Sequence, residues 1–454
     1  MRVPPAGRRR TGLILTLLAV FLTSSAAASR ETEAGSRAAA AQKPRASLFV
    51  APAGADGRSC RSPQQACASF DRAYRVAKPG EVVEVAGGRY SSQSIRSAGT
   101  RSGPNVVFRP APRARVVLAG LTIGSGNDDQ GPDRLTIRNM ELTYKGSAPG
   151  ARNQEGIFIG PGSSYVRLEH MDAGAVHTWF ADHITILGGD YGPCDAVWGS
   201  ENVCGNTKFD VSSNITVDGA LFHDYRFDAT CFSVAGADCH WECMYVNAGE
   251  NITIRNSKFR DCTIYDIFVT ISGPDAARVG HRNLLIENNW FDTPWTEDRS
   301  GGQRARATGV SLAWCQNSSQ GYKDVLVRFN SFQRNTGIEL DRNMSCRWEN
   351  VRIIGNLLSY PGNCDPRITY AYNVWTSAIR PGRCAGTDRQ IGDAMPYAQP
   401  ASGKGFNFRL RASRTVADDL VPATAPGGCP RVDIDRARRA GKRCDAGSDE
   451  RPAR

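Results

Sequence analysis

The sequence has no hydrophobic run long enough to cross a membrane comfortably. The longest apolar stretch, Leu13–Leu22, is about half of the roughly 20 residues that a transmembrane helix needs. It follows the basic cluster Arg8–Arg10 and precedes the small residues Ala26–Ala28, which is the arrangement of a cleavable secretory signal. We therefore predict a signal peptide over residues 1–28, a secreted, extracellular protein, and no stable membrane span after cleavage.

The body of the chain also lacks a strong charge of either sign. The formal net charge is +11, but most of the excess basic residues lie in the first 46 residues and from Arg431 onward. A nucleic-acid-binding domain needs a basic surface on its folded part. The sequence therefore predicts no nucleic-acid partner.

The sequence also lacks a convincing zinc-binding motif, in which Cys and His recur at a characteristic spacing, although the chain has 14 cysteines. Cys239-His240 with Cys243 comes nearest to a zinc motif, but disulfides are the more common use of an even cysteine count in an exported chain. Proximity in sequence predicts four pairs: Cys60–Cys67, Cys194–Cys204, Cys364–Cys384 and Cys429–Cys444. The connectivity stays open among Cys231, Cys239, Cys243 and Cys262, and so does the identity of any metal.

What the sequence has instead is an eight-residue unit that recurs eight times. LTIRNMEL at Leu135–Leu142 returns closely as ITIRNSKF at Ile252–Phe259. The same pattern begins at Val166, Ile184, Ile215, Leu284, Val325 and Val351. Apolar residues at positions one and three give the period of a β-strand, and Asn or Gly near position five predicts a turn. A constant unit with variable spacers is typical of a solenoid.

A second strand pattern lies between these units. It is found as GIFI at Gly156, DIFVT at Asp266, GVSLA at Gly309 and GIELD at Gly337. Together the two patterns predict an all-β chain that folds as a right-handed parallel β-helix, with coils about 4.8 Å apart. The recurrent asparagines are predicted to bond from coil to coil inside a turn; they are Asn139, Asn256, Asn288, Asn330 and Asn356.

The segment before the coils predicts a short capping helix. Phe70, Ala73, Tyr74 and Ala77 fall on one helical face, and the stretch KPGEVVEVAGGRY that follows begins a strand. This order resembles the N-terminal cap of secreted right-handed parallel β-helix proteins, the pectate-lyase-like group of polysaccharide-active families. A helix at that end would cover the open backbone edges of the first coil.

The predicted organisation has four parts. They are the signal peptide over 1–28, a flexible leader over 29–46, the β-helix domain with its N-terminal cap over 47–425, and a tail over 426–454 stapled by Cys429–Cys444. The tail contains CDAGSDE at Cys444–Glu450, which resembles the closing segment of many bacterial β-helix proteins.

The resemblance implies a carbohydrate-active protein that binds a polysaccharide or a cell-surface glycan. It would be a lyase or a glycoside hydrolase acting on an acidic polysaccharide, or else a non-catalytic, adhesin-like module that only holds glycan. Two enzyme signatures are incomplete here. Asn335-Thr336-Gly337 lacks the carboxylate of the polygalacturonase-like motif, and His177–His183 matches the pectate lyase strand Val-Trp-Ile-Asp-His only in part. No specific enzyme family is matched, and no catalytic residue is carried over.

Candidate site residues come from the second strand pattern, because these families usually bind sugar on one parallel sheet. The residues expected to point inward are Ile157, Phe232, Met244, Ile267, Val310 and Ile338. Their neighbours then point outward, and a shift of one residue would invert the assignment. The candidate substrate-binding residues on the outward side are His177, Trp179, Tyr245 and Phe268.

The candidate catalytic residues are Asp266, Glu339, Asp341 and Arg342. If the strands of Asp266 and Glu339 are separated by one other strand, the two carboxyl groups lie about 9–10 Å apart along the axis, close to the separation found in inverting glycosidases. Asp341 shares the face of Glu339. In a lyase, Arg342 would be the base and Ca²⁺, which prefers carboxylate oxygens, would be the cofactor.

Overall fold

The computed structural model describes most of the chain between Arg45 and Arg451. The described residues are 45–96, 101–125, 131–142, 156–196, 206–227, 242–262, 265–293, 308–316, 319–333, 336–340, 346–359, 364–376, 384–392, 395–399, 406–439 and 441–451. The predicted signal peptide and nearly all of the leader lie outside them. So do eight residues named above: Cys204, Cys231, Phe232, Cys239, His240, Asn335, Asp341 and Arg342.

Three parallel sheets wind through the described residues. A typical coil contributes one strand to sheet 1, the next to sheet 2 and the third to sheet 3, and each strand pairs in parallel with its counterpart in the next coil. The repeat units lie side by side in sheet 1: Leu135 pairs with Val166, which pairs with Ile184. The predicted right-handed parallel β-helix is therefore confirmed.

The strands are short, as expected for solenoid coils. Sheet 1 contains Leu48–Val50, Val82–Val85, Val106–Pro110, Asp133–Arg138, Ser164–Glu169, Asp182–Leu187, Ser213–Asp218, Gly249–Arg255, His281–Glu287, Tyr322–Arg328, Trp348–Glu349, Arg352–Ile354 and Thr369–Ala371. Sheet 2 contains Gly88–Tyr90, Val116–Leu118, Glu141–Leu142, Asp172–Ala173, Asp190–Tyr191, Cys194–Ala196, Leu221–Phe227, Lys258–Cys262, Trp290–Asp292, Ser331–Phe332, Leu357–Leu358, Val374–Thr376 and Arg389–Ile391. Sheet 3 contains Gln93–Ile95, Leu121–Ile123, Gly156–Ile159, Ala175–Trp179, Thr207–Asp210, Met244–Asn247, Tyr265–Ile271, Thr308–Cys315 and Ile338–Leu340.

Two α-helices and one 3-10 turn accompany the sheets in the described part of the chain. They are Phe70–Val76, Pro274–Val279 and Pro63–Gln65. The first is the predicted cap, with Phe70, Ala73 and Tyr74 completely buried. The Ser69 side chain accepts a hydrogen bond from the backbone N–H of Arg72 at 3.1 Å and so caps the helix N-terminus. The Phe70 N–H donates to Gln93 Oε1 at 3.0 Å, which ties the helix to the first strand of sheet 3.

Position eight of the repeat builds a stack of aromatic rings inside the solenoid. Neighbouring ring centroids lie 4.6 to 5.2 Å apart, and each ring is fully buried. The stack consists of Tyr191, Phe222, Phe259, Phe291 and Phe332. Because each ring packs on the coil before and the coil after it, the stack holds the coils in register.

The turn from sheet 1 to sheet 2 uses asparagines in two ways. At position five, Asn139, Asn256 and Asn288 have φ between 50° and 55°, the left-handed region that Asn tolerates better than most residues. Position six carries the buried ladder, whose amides bond at 3.0–3.1 Å in the order Asn289, Asn330, Asn356 and Asn373. The predicted bonding from coil to coil is thus confirmed for position six. It is also confirmed for Asn256 and Asn288, whose amides donate to Asp218 Oδ1 at 2.9 Å and to Asn256 Oδ1 at 3.4 Å, whereas Asn139 is exposed.

The C-terminal segment packs along the flank of the coils. After the last parallel strand, Tyr397–Gln399 pairs antiparallel with Asn407–Leu410, and Val421–Pro422 with Arg443–Cys444. Within CDAGSDE, Ser448 Oγ accepts a hydrogen bond from Trp290 Nε1 at 2.6 Å. The segment therefore covers outer side chains of sheet 2.

Every described cysteine is in a disulfide. Three predicted pairs are confirmed: Cys60–Cys67, Cys364–Cys384 and Cys429–Cys444. Cys194 is disulfide-bonded, and its predicted partner lies outside the described residues. Two pairs are new: Cys243–Cys262 and Cys315–Cys346. Disulfides form in oxidising compartments, which agrees with the predicted export.

None of the helices in the described ranges combines the length and the hydrophobicity that a membrane crossing requires.

Candidate functional site

The outward side chains of sheet 3 form two parallel rows, which we call the sheet 3 face. The described residues predicted to point inward are at most 1% exposed: Ile157, Met244, Ile267, Val310 and Ile338. Strand pairing aligns the central row as His177, Lys208, Tyr245, Phe268, Ser311 and Glu339. The second row, two residues further along each strand, is Trp179, Asp210, Asn247 and Thr270. Trp314 continues it three residues after Ser311, because the register shifts by one residue there.

The middle of the central row is packed rather than open. Phe268 stacks on Tyr265 with centroids 4.6 Å apart and meets the edge of Tyr245 at 5.6 Å. It is only 4% exposed, so it cannot offer a ring face to a sugar, and this corrects its predicted role. Tyr245 stays partly exposed, with Lys208 Nζ 5.3 Å from its ring centroid.

The second row carries a connected polar network. Asn247 Nδ2 donates to Asp210 Oδ1 at 2.8 Å, and Asp210 also pairs with Lys208 at 2.9 Å. Thr270 Oγ1 lies 3.3 Å from Asn247 Oδ1 and 2.9 Å from the Tyr245 hydroxyl. Burial raises the pKa of Tyr245 above its ordinary value, against the lowering effect of the Thr270 hydrogen bond. The phenol is therefore neutral at physiological pH, and the network holds its donors and acceptors in place.

The second row begins and ends with tryptophan. Trp179 is partly exposed and contacts Phe180, with ring centroids 5.6 Å apart. At the other end the register shifts between Val269 and Ile271, and the extra residue in the facing strand brings Trp314 to φ 52°. A bulge of this kind re-aims a side chain. Trp314 is 47% exposed, and the sequence analysis did not identify it.

His177 also lies on the outward face, as predicted. Its ring is partly exposed and packs edge-on against Phe158, with centroids 5.4 Å apart. His177 pairs in register with Lys208, which places it at the N-terminal end of the central row.

Asp266 occupies a different environment from the predicted one. It is completely buried at the corner between sheets 2 and 3, where one carboxyl oxygen accepts a hydrogen bond from Thr293. Asp266 Oδ2 has no hydrogen-bond partner among the described residues. Although Asp266 is at an outward position of its strand, its side chain is shielded from solvent. Thr293 and the Cys243–Cys262 disulfide pack over the start of that strand.

The surroundings of Asp266 favour its neutral form. Burial raises its pKa well above the ordinary range, the Thr293 hydrogen bond opposes this, and the charges of Asp292 and Asp261 raise the pKa further. A carboxyl group in this state is a poor base and is closed to a polymeric substrate.

Replacement of Asp266 by Asn is expected to stabilise the protein at neutral pH. Because the folded-state pKa is raised, the stability contributed by the protonated carboxyl is complete below the unfolded pKa of about 3.9 and is lost as the pH rises through the folded value. Asn keeps the acceptor for Thr293 and does not ionise. Chemical denaturation should show a gain of about 1 kcal/mol per unit of pKa shift at neutral pH, and little difference near pH 4.

The matched control is Asp275→Asn, since the Asp275 side chain is 47% exposed and pairs with Arg278 on its own short helix. It should change the free energy of unfolding by less than about 0.5 kcal/mol at either pH. A loss of stability in Asp266→Asn at neutral pH would contradict the assigned environment.

Glu339 lies at the far end of the central row and is exposed. Its Oε2 is 3.4 Å from Thr308 Oγ1. Sheet order confirms that one strand, Thr308–Cys315, separates the strands of Asp266 and Glu339. Because Asp266 is buried, however, the two carboxyl groups do not face a common cleft. Asp341 and Arg342 lie outside the described residues.

The described residues do not fit a Ca²⁺ site on the sheet 3 face. The accessible carboxylates of the two rows are Asp210 and Glu339, whose strands are four steps apart in the sheet, or about 19 Å. One group of metal-ligand atoms within 4.8 Å of one another does occur, at Cys243, Cys262 and Asp266. Its cysteines are joined in a disulfide, so they supply no thiolate to a metal.

Comparison with known proteins gives similarities of structure only. No protein-family model matches the chain, and no curated protein matches its sequence significantly. Pectate lyase Pel9A is 13% identical over 90% of this chain and 97% of its own, with a TM-score of 0.49. The Streptococcus pneumoniae surface protein and adhesin PfbA is 12% identical over 67% and 86%, with a TM-score of 0.45.

A third similar structure, XylC in complex with xylose, is 9% identical over 88% of this chain and 98% of its own, with a TM-score of 0.42. At these identities and TM-scores, the similarities assign neither a substrate nor an activity. The predicted β-helix resemblance is confirmed at the level of the fold, which the strand pairing establishes.

Proposed function

We propose that this is an exported β-helix protein that binds an extended polysaccharide along the sheet 3 face. The observation that carries the proposal is the second row, where two tryptophans flank a connected run of Asp210, Asn247 and Thr270. Aromatic faces and fixed amide, hydroxyl and carboxylate groups are the chemistry that recognises sugar rings and their hydroxyls.

The arrangement suits a polymer better than a small molecule. The rows extend along the solenoid axis, and each coil adds one side chain to each row. A linear chain of similar sugars presents its groups with a comparable repeat. Export is supported by the predicted signal sequence and by the disulfides.

The proposal is tested by measuring binding of the mature protein to a panel of soluble polysaccharides by affinity electrophoresis. Asp210→Ala should weaken binding of the best polymer at least about tenfold, because it removes a carboxylate from the second row and releases Asn247 and Lys208. Products are assayed in the same samples by ultraviolet absorbance for unsaturated ends and by reducing-sugar release.

The matched control is Asp182→Ala. Like Asp210, Asp182 accepts a hydrogen bond from an Asn side chain, in this case Asn214 Nδ2 at 2.6 Å. Asp182, however, lies in sheet 1. Its variant should bind like wild type. Equal losses in both variants, or no binding of any polysaccharide by wild type, would refute the proposed face.

A second candidate function is polysaccharide cleavage at the Glu339 end of the face. The observation that favours it is the exposure of Glu339 on the last strand of sheet 3; Asp341 and Arg342 follow it in sequence and are proposed as its partners. Asp266, two strands away, is retained in this proposal only as a buried supporting residue. New reducing ends that disappear in Glu339→Gln would support cleavage, and wild-type product formation in Glu339→Gln would remove this proposal.

A further inference from the structure

We propose that the second row recognises a neutral glycan segment of roughly five sugars, with Trp179 and Trp314 as its two end platforms. This inference rests on the proposed function and specifies the ligand of the same face. It differs from the acidic polysaccharide that the fold resemblance led us to expect.

The length follows from the sheet. The strands that carry the second row are consecutive in sheet 3, from Ala175–Trp179 to Thr308–Cys315. Trp179 and Trp314 are therefore four strand spacings apart, or about 19 Å. Because each coil spacing is close to the repeat of one sugar in an extended chain, rings stacked on both tryptophans are the ends of a segment of about five sugars.

The charge of the two rows argues for a neutral ligand. Lys208 is the one cation among the row residues defined above, and it is paired with Asp210 at 2.9 Å. Asp210 and the exposed Glu339 contribute two carboxylates. A polyuronate placed along these rows would meet a surface with a small excess of negative charge, which opposes its binding.

The polar centre is organised before the ligand arrives. Asn247 is held by Asp210 on one side and on the other by Ser272, whose backbone N–H donates to Asn247 Oδ1 at 2.8 Å. Ser272 Oγ donates to Gln316 Oε1 at 3.1 Å, which links the network to the strand end just after Trp314. A rigid polar centre with an aromatic at each end lowers the ordering cost of binding.

The end platforms can be tested with a closely matched pair of substitutions. Trp314→Asn and Tyr165→Asn each remove an exposed aromatic, 47% and 39% exposed, at positions that both have φ 52°. Asn tolerates this backbone conformation, so both variants should fold, which thermal unfolding would check. Tyr165 lies in sheet 1 and serves as the control.

The probes are cello-, xylo- and manno-oligosaccharides from dimers to hexamers, with oligogalacturonates of equal length as the charged series. Calorimetric titration of wild type should show that affinity for one neutral series increases up to the pentamer and then levels off, with little dependence on salt. Trp314→Asn should weaken pentamer binding at least about tenfold and dimer binding by less than about threefold. Trp179→Ala should do the same, and Tyr165→Asn should have no effect.

The contrary outcomes separate the two proposals. Tighter, salt-sensitive binding of the oligogalacturonates that is weakened by Asp210→Ala would overturn the neutral ligand and leave the proposed face intact. Affinity that is independent of length, or unchanged in Trp314→Asn, would overturn the end platforms. No binding of either series or of any longer polymer would overturn the proposed function itself.

Discussion

Replacing Asn330 by Leu is expected to destabilise the protein by about 4 kcal/mol. The buried Asn330 Nδ2 donates to Ile286 O at 2.9 Å and to Asn356 Oδ1 at 3.0 Å, and its Oδ1 accepts from the backbone and side chain of Asn289. Leucine removes the side-chain partner of the Asn289 backbone N–H and of the Ile286 carbonyl, and each unsatisfied group costs about 1–3 kcal/mol. Asn356 Oδ1 keeps the Asn330 backbone N–H and Asn289 Nδ2 keeps the Ile254 carbonyl, each at 3.0 Å. Urea denaturation followed by circular dichroism measures the loss.

Asn139→Gly is the control for this prediction. Asn139 occupies position five, next to the ladder position, in a different copy of the repeat and has φ 55°, but it is exposed. Glycine adopts this conformation freely, so the variant should lie within about 1 kcal/mol of wild type. If Asn330→Leu proved as mild as Asn139→Gly, the ladder would not be the element that joins the coils.

Replacing Phe259 by Ala should lower the free energy of unfolding by a similar amount, about 3–5 kcal/mol. The ring lies in the middle of the internal stack, with Phe222 and Phe291 each 5.2 Å away. Its removal leaves a cavity between two coils that cannot close without breaking the register of sheet 2. The same denaturation experiment measures it.

Phe180→Asn provides the comparison, because Phe180 is 38% exposed and has φ 47°. Its loss should change the free energy of unfolding by less than about 1 kcal/mol. A Phe259→Ala variant with wild-type stability would mean that the stack contributes little to the packing of the coils.

The fold was predictable because its signals are local. Each repeat unit contains its own strand period and turn, and five of the eight end in the aromatic residue of the internal stack. Eight copies of one pattern are hard to explain in any other architecture. The prediction of which sheet 3 residues point inward was also correct at Ile267, Val310 and Ile338, because inward and outward residues alternate strictly in these strands.

The candidate site was less predictable, because a side chain that points out of a sheet is not always exposed to solvent. Alternation placed Phe268 and Asp266 outward, but Tyr265 covers the first and Thr293 covers the second. These covering contacts come from other positions and other strands, so no local period reveals them.

For Trp314 the alternation rule fails in the opposite direction, because it predicts a buried side chain where the structure has an exposed one. Counting from Val310 and Leu312, alternation would place it inward, and only the bulge opposite Thr270 turns it to solvent. A bulge depends on the pairing of two strands and not on either strand alone. The C-terminal cover is similarly non-local, because Trp290 and Ser448 are 158 residues apart.

The most direct measurement of the central claim is a crystal structure of the mature protein soaked with the neutral oligosaccharide that binds most tightly. We expect density for the sugar along the second row, with rings against Trp179 and Trp314 and hydroxyl groups near Asp210 and Asn247. Sugar bound on sheet 1 or on the outer side of sheet 2, with the sheet 3 face left free, would contradict the assignment of this face as the glycan-binding site.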